Sequence, residues 1–172
     1  MIFIHDTRDQ PGKHDNVESY LTEAGHKIIR SKMYVGDISI LNDQSCCIDL
    51  KGLGLREVYS NLVQQHDRFK RECVKAQESG IKLIILVEER NIKTLEEARR
   101  WQNPRFYAWK KEQAQGIIKK PPVSSDRLVN MMLAMAEKYG VEWLFCKPDE
   151  AGKTVEEILS GGGENVKGET GS

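Results

Sequence analysis

Five consecutive apolar residues, Leu83-Ile84-Ile85-Leu86-Val87, run through a chain in which 30% of residues are charged. Side chains alternate faces along a strand, so such a run leaves no side for water and must be covered above and below. A central strand between two helical layers satisfies that demand, and the flanking pattern supplies the layers. Strands are predicted at Ile2–Asp6, Lys27–Arg30 and Val141–Cys146. A helix carrying Val17, Tyr20, Leu21 and Ala24 is predicted to start at an Asp15/Glu18 capping box and to stop at Gly25. The spacing Leu55, Val58, Leu62, Phe69, Cys73, Ala76 predicts one long amphipathic helix over Leu55–Glu78, ended by Gly80, with Tyr59 as packing. Ser124 or Ser125 opens a helix with Leu128, Met132, Met135 and Tyr139 that Gly140 closes, and Thr154 with Glu157 reads as a capping box for a short last helix. The order of elements is that of an α/β protein.

At 172 residues the chain is long enough for one domain with a real core. The reading is a domain over 1–160, a basic and aromatic insertion at about 91–122, and a Gly/Glu-rich tail over 161–172 expected to be disordered. No stretch reaches the length of a membrane span, and the Met1-Ile2-Phe3-Ile4 start reads as a strand rather than a signal peptide. Cys46, Cys47, Cys73 and Cys146 show no CxxC spacing, which favours a reduced intracellular protein without structural zinc, and Cys46 and Cys47 should point to opposite faces of a strand. His5, His14, His26 and His66 show no ligand spacing and are assigned to surface or loop positions.

Asp37–Leu41 and Ser45–Lys51 form a predicted β-hairpin around Asn42-Asp43-Gln44. In that register Ile40 faces Cys46, Ile38 faces Ile48, and Asp37 faces Asp49. Ile38, Ile40, Cys46, Ile48 and Leu50 then share an apolar face, and Asp37, Asp49 and Lys51 share the other. Carboxylates directly opposed across a strand pair repel. A cation between them, or a proton on one, relieves this, and Mg²⁺ is commonly held by one or two carboxylates plus phosphate oxygens. Lys51 lies on the same face, where an ammonium can orient water or stabilise developing negative charge. The plainer alternative is a solvated hairpin face with incidental charges.

The zero formal net charge conceals a local imbalance. From Arg90 to Lys120 nine basic residues meet three acidic ones, an excess of six positive charges. Arg99, Arg100, Trp101, Arg105, Trp109, Lys110 and Lys111 interleave aromatics with cations, a composition suited to neutralising phosphates and stacking on bases. A helical insertion whose aromatics pack on the sheet is the equal alternative. Thr94 and Glu97 favour a helix start there, and Pro104 a break.

The motifs Asp6-Thr7-Arg8-Asp9, Gly36-Asp37-Ile38 and Ile48-Asp49-Leu50-Lys51, followed by His66-Asp67-Arg68-Phe69-Lys70 and by Leu86-Val87-Glu88, together resemble the nuclease domain of XPF-type structure-specific endonucleases. That family belongs to the PD-(D/E)XK, restriction-endonuclease-like superfamily. The resemblance implies a central mixed β-sheet flanked by helices. It also implies Mg²⁺- or Mn²⁺-dependent hydrolysis of DNA phosphodiesters, at branched or junction structures. Asp37 and Asp49, with the Leu50 carbonyl, would bind the metal, and Lys51 would position the attacking water. Asp6, Arg8, Asp9 and Arg68 would be accessory groups. The chain departs from the family in having Asp49-Leu50-Lys51 where the family has Glu-Arg-Lys, and Asp9 where it has glutamate. It also has no recognisable helix-hairpin-helix module.

Two readings from different classes follow. One is a metal-dependent endodeoxyribonuclease with DNA as partner, intracellular and of prokaryotic or phage type, as a homodimer if both strands are to be cut symmetrically. The other is a nuclease-fold module that binds DNA or a catalytic partner without cutting. A flavodoxin-like small-molecule domain would want a Gly-rich phosphate loop, which the sequence lacks.

Overall fold

The computed structural model describes residues 1–161; the tail expected to be disordered lies almost wholly outside the described residues. Six strands form one mixed sheet: β1 (Ile2–His5), β2 (Lys27–Arg30), β3 (Ile38–Ile40), β4 (Asp43–Lys51), β5 (Lys82–Glu88) and β6 (Glu142–Cys146), in the order β2-β1-β3-β4-β5-β6. β3 runs antiparallel to both β1 and β4, while β1–β2, β4–β5 and β5–β6 pair in parallel. The helices are α1 (Asp15–Glu23), α2 (Leu55–Tyr59), α3 (His66–Glu78), α4 (Leu95–Ala98), α5 (Pro104–Ala114), α6 (Ser125–Tyr139) and α7 (Ala151–Leu159). The expected mixed α/β sheet flanked by helices is the one observed.

The apolar run sits where it must. Ile84 and Leu86 join Phe3, Ile38, Ile48 and Leu50 under α1 and α7, whose Val17, Leu21, Val155 and Leu159 complete that layer. Leu83, Ile85 and Val87 face the other way, onto Leu55, Val58, Phe69, Cys73, Leu128 and Met132 of α2, α3 and α6 and onto Leu62 between α2 and α3. Burying a side chain such as that of Leu86 contributes about 2–3 kcal/mol relative to exposure. Cys46 and Cys47 fall in opposite layers, as strand alternation predicts. No described helix is long and apolar enough to cross a membrane.

Several predicted details differ. Ile38 does oppose Ile48, but Ile40 pairs with Asp43 rather than Cys46. The extra β4 residues bulge, and the turn shortens to Leu41-Asn42. Ser39, fully buried, makes this tolerable: its hydroxyl donates to the Cys46 carbonyl at 2.6 Å and reaches the Asp43 carbonyl at 3.3 Å. The long helix over 55–78 is broken, because a π-helical turn (Ser60–Gln64) and a non-helical Gln65 separate α2 from α3. Neither predicted capping box forms. Asp15 is already inside α1, which begins after His14, and Glu18 is taken by His5 and Arg30. Thr154 lies within α7 and donates to the Glu150 carbonyl. Ser124 does cap α6 through Arg127 N–H, and Gly140 closes it in the left-handed region at φ 70°. Thr94 caps α4 through Glu97 N–H. Pro104 both interrupts the chain and occupies the first turn of α5, behind an Asn103 cap.

Candidate active site

Asp37 stands at the seam where β3 meets its two antiparallel neighbours. Its N–H donates to the Ile48 carbonyl and its carbonyl accepts from Asp6 N–H, both at 2.8 Å. Gly36 before it adopts φ 76°, and a Cβ there would press on the Cys47 side chain and the Ile48 carbonyl at 3.0 and 3.2 Å. Glycine is thus required at position 36 by close backbone approach as well as by conformation. The Asp37 carboxylate accepts from Leu50 N–H at 2.7 Å, so the Leu50 amide is tied to this site while its side chain enters the core.

A cavity of about 280 Å³ opens beside these strands. Asp6, Arg8, Asp9, Asp37, Asp49, Lys51 and Arg68, scattered over sixty residues of sequence, all line it. Lys51 Nζ lies 2.7 Å from Asp49 Oδ1, and the residue is only 7% exposed. Burial would lower its pKa, but Asp49 and Asp37 outweigh burial and raise it, so the group stays charged. Burial, Asp49 and Asp9 together push the Asp37 carboxyl well above the ordinary range, against Lys51 and the Leu50 amide, which pull it down. Asp6 is not free to act as a ligand. Its oxygens accept from Arg8 N–H and from the Arg8 guanidinium, including Nε at 2.7 Å, and Arg8 also donates to the Met33 carbonyl. The hydrogen bond to Asp6 is the chief reason the Arg8 pKa rises.

The sequence reading missed half of this surface. Lys13 bridges Asp9 (3.4 Å) and Glu57 (3.2 Å). Asn61, Gln65 and Glu72 line the cavity, the first two because the π-helical turn re-phases the helix that carries them. His5 and His14, assigned above to surface or loop, are buried. His5 Nε2 lies 3.2 Å and His14 Nε2 3.3 Å from Asp9 Oδ2. Burial would raise the Asp9 pKa, but the two imidazoles and Lys13 hold it well below the usual carboxylate range. Loop closure between β1 and α1 brings these groups together, and no spacing in the sequence reports it.

The aromatic-basic residues are not among those lining the cavity. Arg99 is held by Glu96, Asp126 and Asn130, and Trp101 packs on the core beside Tyr59. Arg105 lies 4.6 Å from the Tyr59 ring centroid, and Trp109 donates to the Lys119 carbonyl. Lys110 covers the Phe106 ring, and Lys111 is exposed. Packing therefore claims Trp101 and ion pairing claims Arg99, whereas α5 buries none of its residues and presents Phe106, Tyr107 and its lysines to solvent.

The donor set suits a hard divalent cation. Six carboxylates (Asp6, Asp9, Asp37, Asp49, Glu57, Glu72) face four cations (Arg8, Lys13, Lys51, Arg68) around the cavity. Burial, with this excess of negative charge, keeps Asp37 protonated longer than an ordinary carboxyl, and the excess opposes entry of a phosphodiester. A +2 ion with oxygen ligands relieves both.

No family model and no curated protein matches the chain. Solved structures do. XPF from Aeropyrum pernix superposes with a TM-score of 0.60 at 16% identity, over 96% of this chain and 67% of that one. The complex of XPF from Aeropyrum pernix with DNA gives 0.61 at 16% identity, over 95% and 65%. The chain thus spans about two thirds of the length of those structures. At this identity the likeness is one of architecture, and it agrees with the motifs: the chain has the mixed α/β fold of XPF from Aeropyrum pernix.

Proposed function

We propose that the chain is a divalent-metal-dependent endodeoxyribonuclease. The observation that carries the reading is the net-negative cavity in which Asp37 and Asp49 stand beside the buried, charged Lys51. Asp37 and Asp49 would hold Mg²⁺ or Mn²⁺, with the Leu50 carbonyl as a further ligand. The ion would supply Lewis-acid stabilisation of the phosphate and of the charge that develops during hydrolysis.

The chain's own groups do the remainder. Lys51, fixed by Asp49, presents N–H donors to the attacking water and to a non-bridging phosphate oxygen. Water adds to phosphorus as the ester bond to one sugar oxygen breaks; the proton lost by the water leaves to solvent, and solvent protonates the departing oxygen. Arg68, exposed at the cavity rim, meets an adjacent phosphate. Arg8, locked by Asp6, keeps the β1 end in register. The XPF–DNA complex of shared fold supports DNA as the polymer, and branched DNA is the proposed preference. The exposed cations and aromatics of α5 would extend the contact along the backbone.

Labelled branched and linear DNAs incubated with Mg²⁺, Mn²⁺ or EDTA test the reading. Asp49→Asn is expected to reduce metal-dependent cleavage at least about 100-fold while retaining a salt-sensitive DNA shift. Full cleavage by that variant would overturn the assignment. DNA binding without cutting by the wild-type chain would instead favour the non-cutting module.

A further inference from the structure

His14 is 1% exposed, yet neither ring nitrogen has a hydrogen-bond partner among the described residues. Leaving a buried polar group unsatisfied costs about 1–3 kcal/mol, so an imidazole buried against Asp9 of the acidic cavity without an aligned hydrogen bond calls for a partner. His5 presents the contrast. It is equally buried and just as close to Asp9, but its other nitrogen meets Glu18 at 2.5 Å and Arg30 at 3.3 Å. His5 has aligned partners on both sides, whereas His14 has only the 3.3 Å contact of Nε2 with Asp9 Oδ2 and no partner at Nδ1 among the described residues.

We infer that His14, Asp9 and Asp37 form a second cation position that shares the Asp37 carboxylate with the Asp37–Asp49 position. The inference rests on the reading of Asp37 as a metal ligand. One ligand atom from each of the three lies within 4.8 Å of the others. His14 Nε2 and Asp9 Oδ2 are 3.3 Å apart. Two ligands bound at about 2.1 Å and 90–110° to one another on a single ion stand about 3.0–3.4 Å apart, so this pair already has the spacing of neighbours in one coordination sphere.

A carboxylate stands ready behind the ring. Glu88, at the end of β5, is buried, and its Oε2 is also without a partner among the described residues. Glu88 Oε2 and His14 Nδ1 border the same space beside Gly52, each 3.3 Å from where a Cβ on that residue would sit. Asn16 fixes the other Glu88 oxygen at 2.7 Å. Metal-bound histidines commonly direct their second nitrogen to a carboxylate, which sets the tautomer and strengthens the ligand. Gly52 leaves the room for that contact. An imidazole ligand is foreign to an all-oxygen Mg²⁺ site and favours Mn²⁺, Co²⁺ or Zn²⁺. This position therefore selects those ions over Mg²⁺.

Pulsed electron paramagnetic resonance of the full chain with Mn²⁺ tests this, using natural-abundance protein beside protein labelled with ¹⁵N only in histidine. The expected result is nitrogen modulation on bound Mn²⁺ that changes isotope with the label. It should be lost in His14→Gln with at least about tenfold weaker binding at that position, and retained in Asp49→Asn. Glu88→Gln should weaken the same position about tenfold. Mn²⁺ bound without histidine coupling, or coupling unchanged in His14→Gln, overturns the inference. Should His14→Gln fail to fold, the isotope experiment on the wild-type chain still decides. Histidine coupling without DNA cleavage would sink the nuclease reading alone; metal-dependent cleavage without coupling would sink the second position alone.

Discussion

Replacing Asp37 with asparagine should stabilise the metal-free protein. Asp37 shares the cavity with Asp49, and an oxygen of Asp9 lies within 4.8 Å of one of its own. Two unit charges at that separation repel by about 3 kcal/mol at an effective dielectric constant near 20. Lys51 and Lys13 offset much of this, and an asparagine oxygen can still accept from Leu50 N–H. A net gain of about 1–2 kcal/mol remains, within the range of stabilising changes at functional sites. For a chain of this size that is a rise in Tm of about 2–8 °C. The folded-state pKa of Asp37 is raised by burial, Asp49 and Asp9, so the destabilisation is absent below the ordinary carboxylate range and complete above the raised value. The advantage of Asp37→Asn should accordingly vanish at acid pH and grow as pH rises through the raised value. Adding Mn²⁺ should reverse the ranking: at 100 times its dissociation constant a ligand stabilises the wild type by about 2.7 kcal/mol, and the variant has lost a ligand. Calorimetric or circular-dichroism melts in EDTA and in Mn²⁺ provide the readout. A lower Tm for the variant in EDTA, or an equal Mn²⁺ shift in both proteins, would refute the electrostatic account.

Lys51→Met should lower metal-free stability by about 3 kcal/mol, since it leaves half-buried Asp49 beside Asp37 without its ammonium, and should remove cleavage; denaturant melts in EDTA measure the first. Gly152→Ala should cost about 1–3 kcal/mol, because a methyl there would collide with the Tyr20 side chain where α7 crosses α1; an unchanged melt would contradict that packing. Native protein treated with a disulfide reagent at neutral pH should release about one equivalent ahead of the rest, from half-exposed Cys46, although burial raises its pKa too. Burial pushes Cys47 up to about 11 and Cys73 and Cys146 up to about 12, and these three should react only on unfolding.

The parts of the fold that were legible are those one periodicity decides. Leu83–Val87 declared a doubly covered strand, and the pairing of Ile38 with Ile48 followed from which side chains can share a core. The far end of the same hairpin was not legible, because its register depends on one buried hydroxyl, Ser39, satisfying two carbonyls that the bulge leaves over. The break in the 55–78 helix had only a faint trace, the polar Gln64-Gln65-His66 between Leu62 and Phe69. Local polar pairing misled at both capping boxes, since a tertiary partner claimed Glu18 and Thr154 fell inside its helix. In the site, Asp37, Asp49 and Lys51 were readable from strand alternation. His14, which stands against Asp9, was not, because a loop delivers it and loops carry no period.

The mixed direction of the sheet also orders events in time. β3 and β4 are joined by the two-residue turn Leu41-Asn42, and such hairpins close in about 1–10 µs. β4 meets β5 in parallel only after the crossover through α2 and α3, a slower and less local step. Asp37 and Asp49 therefore first meet on an open hairpin, where water screens them. Their repulsion becomes severe only when Phe69 and the rest of α3 close over the strand. That late onset places the strain in the barrier to unfolding rather than to folding. A bound cation would accordingly act as a latch, lengthening the lifetime of the closed protein while leaving the speed of its assembly nearly unchanged.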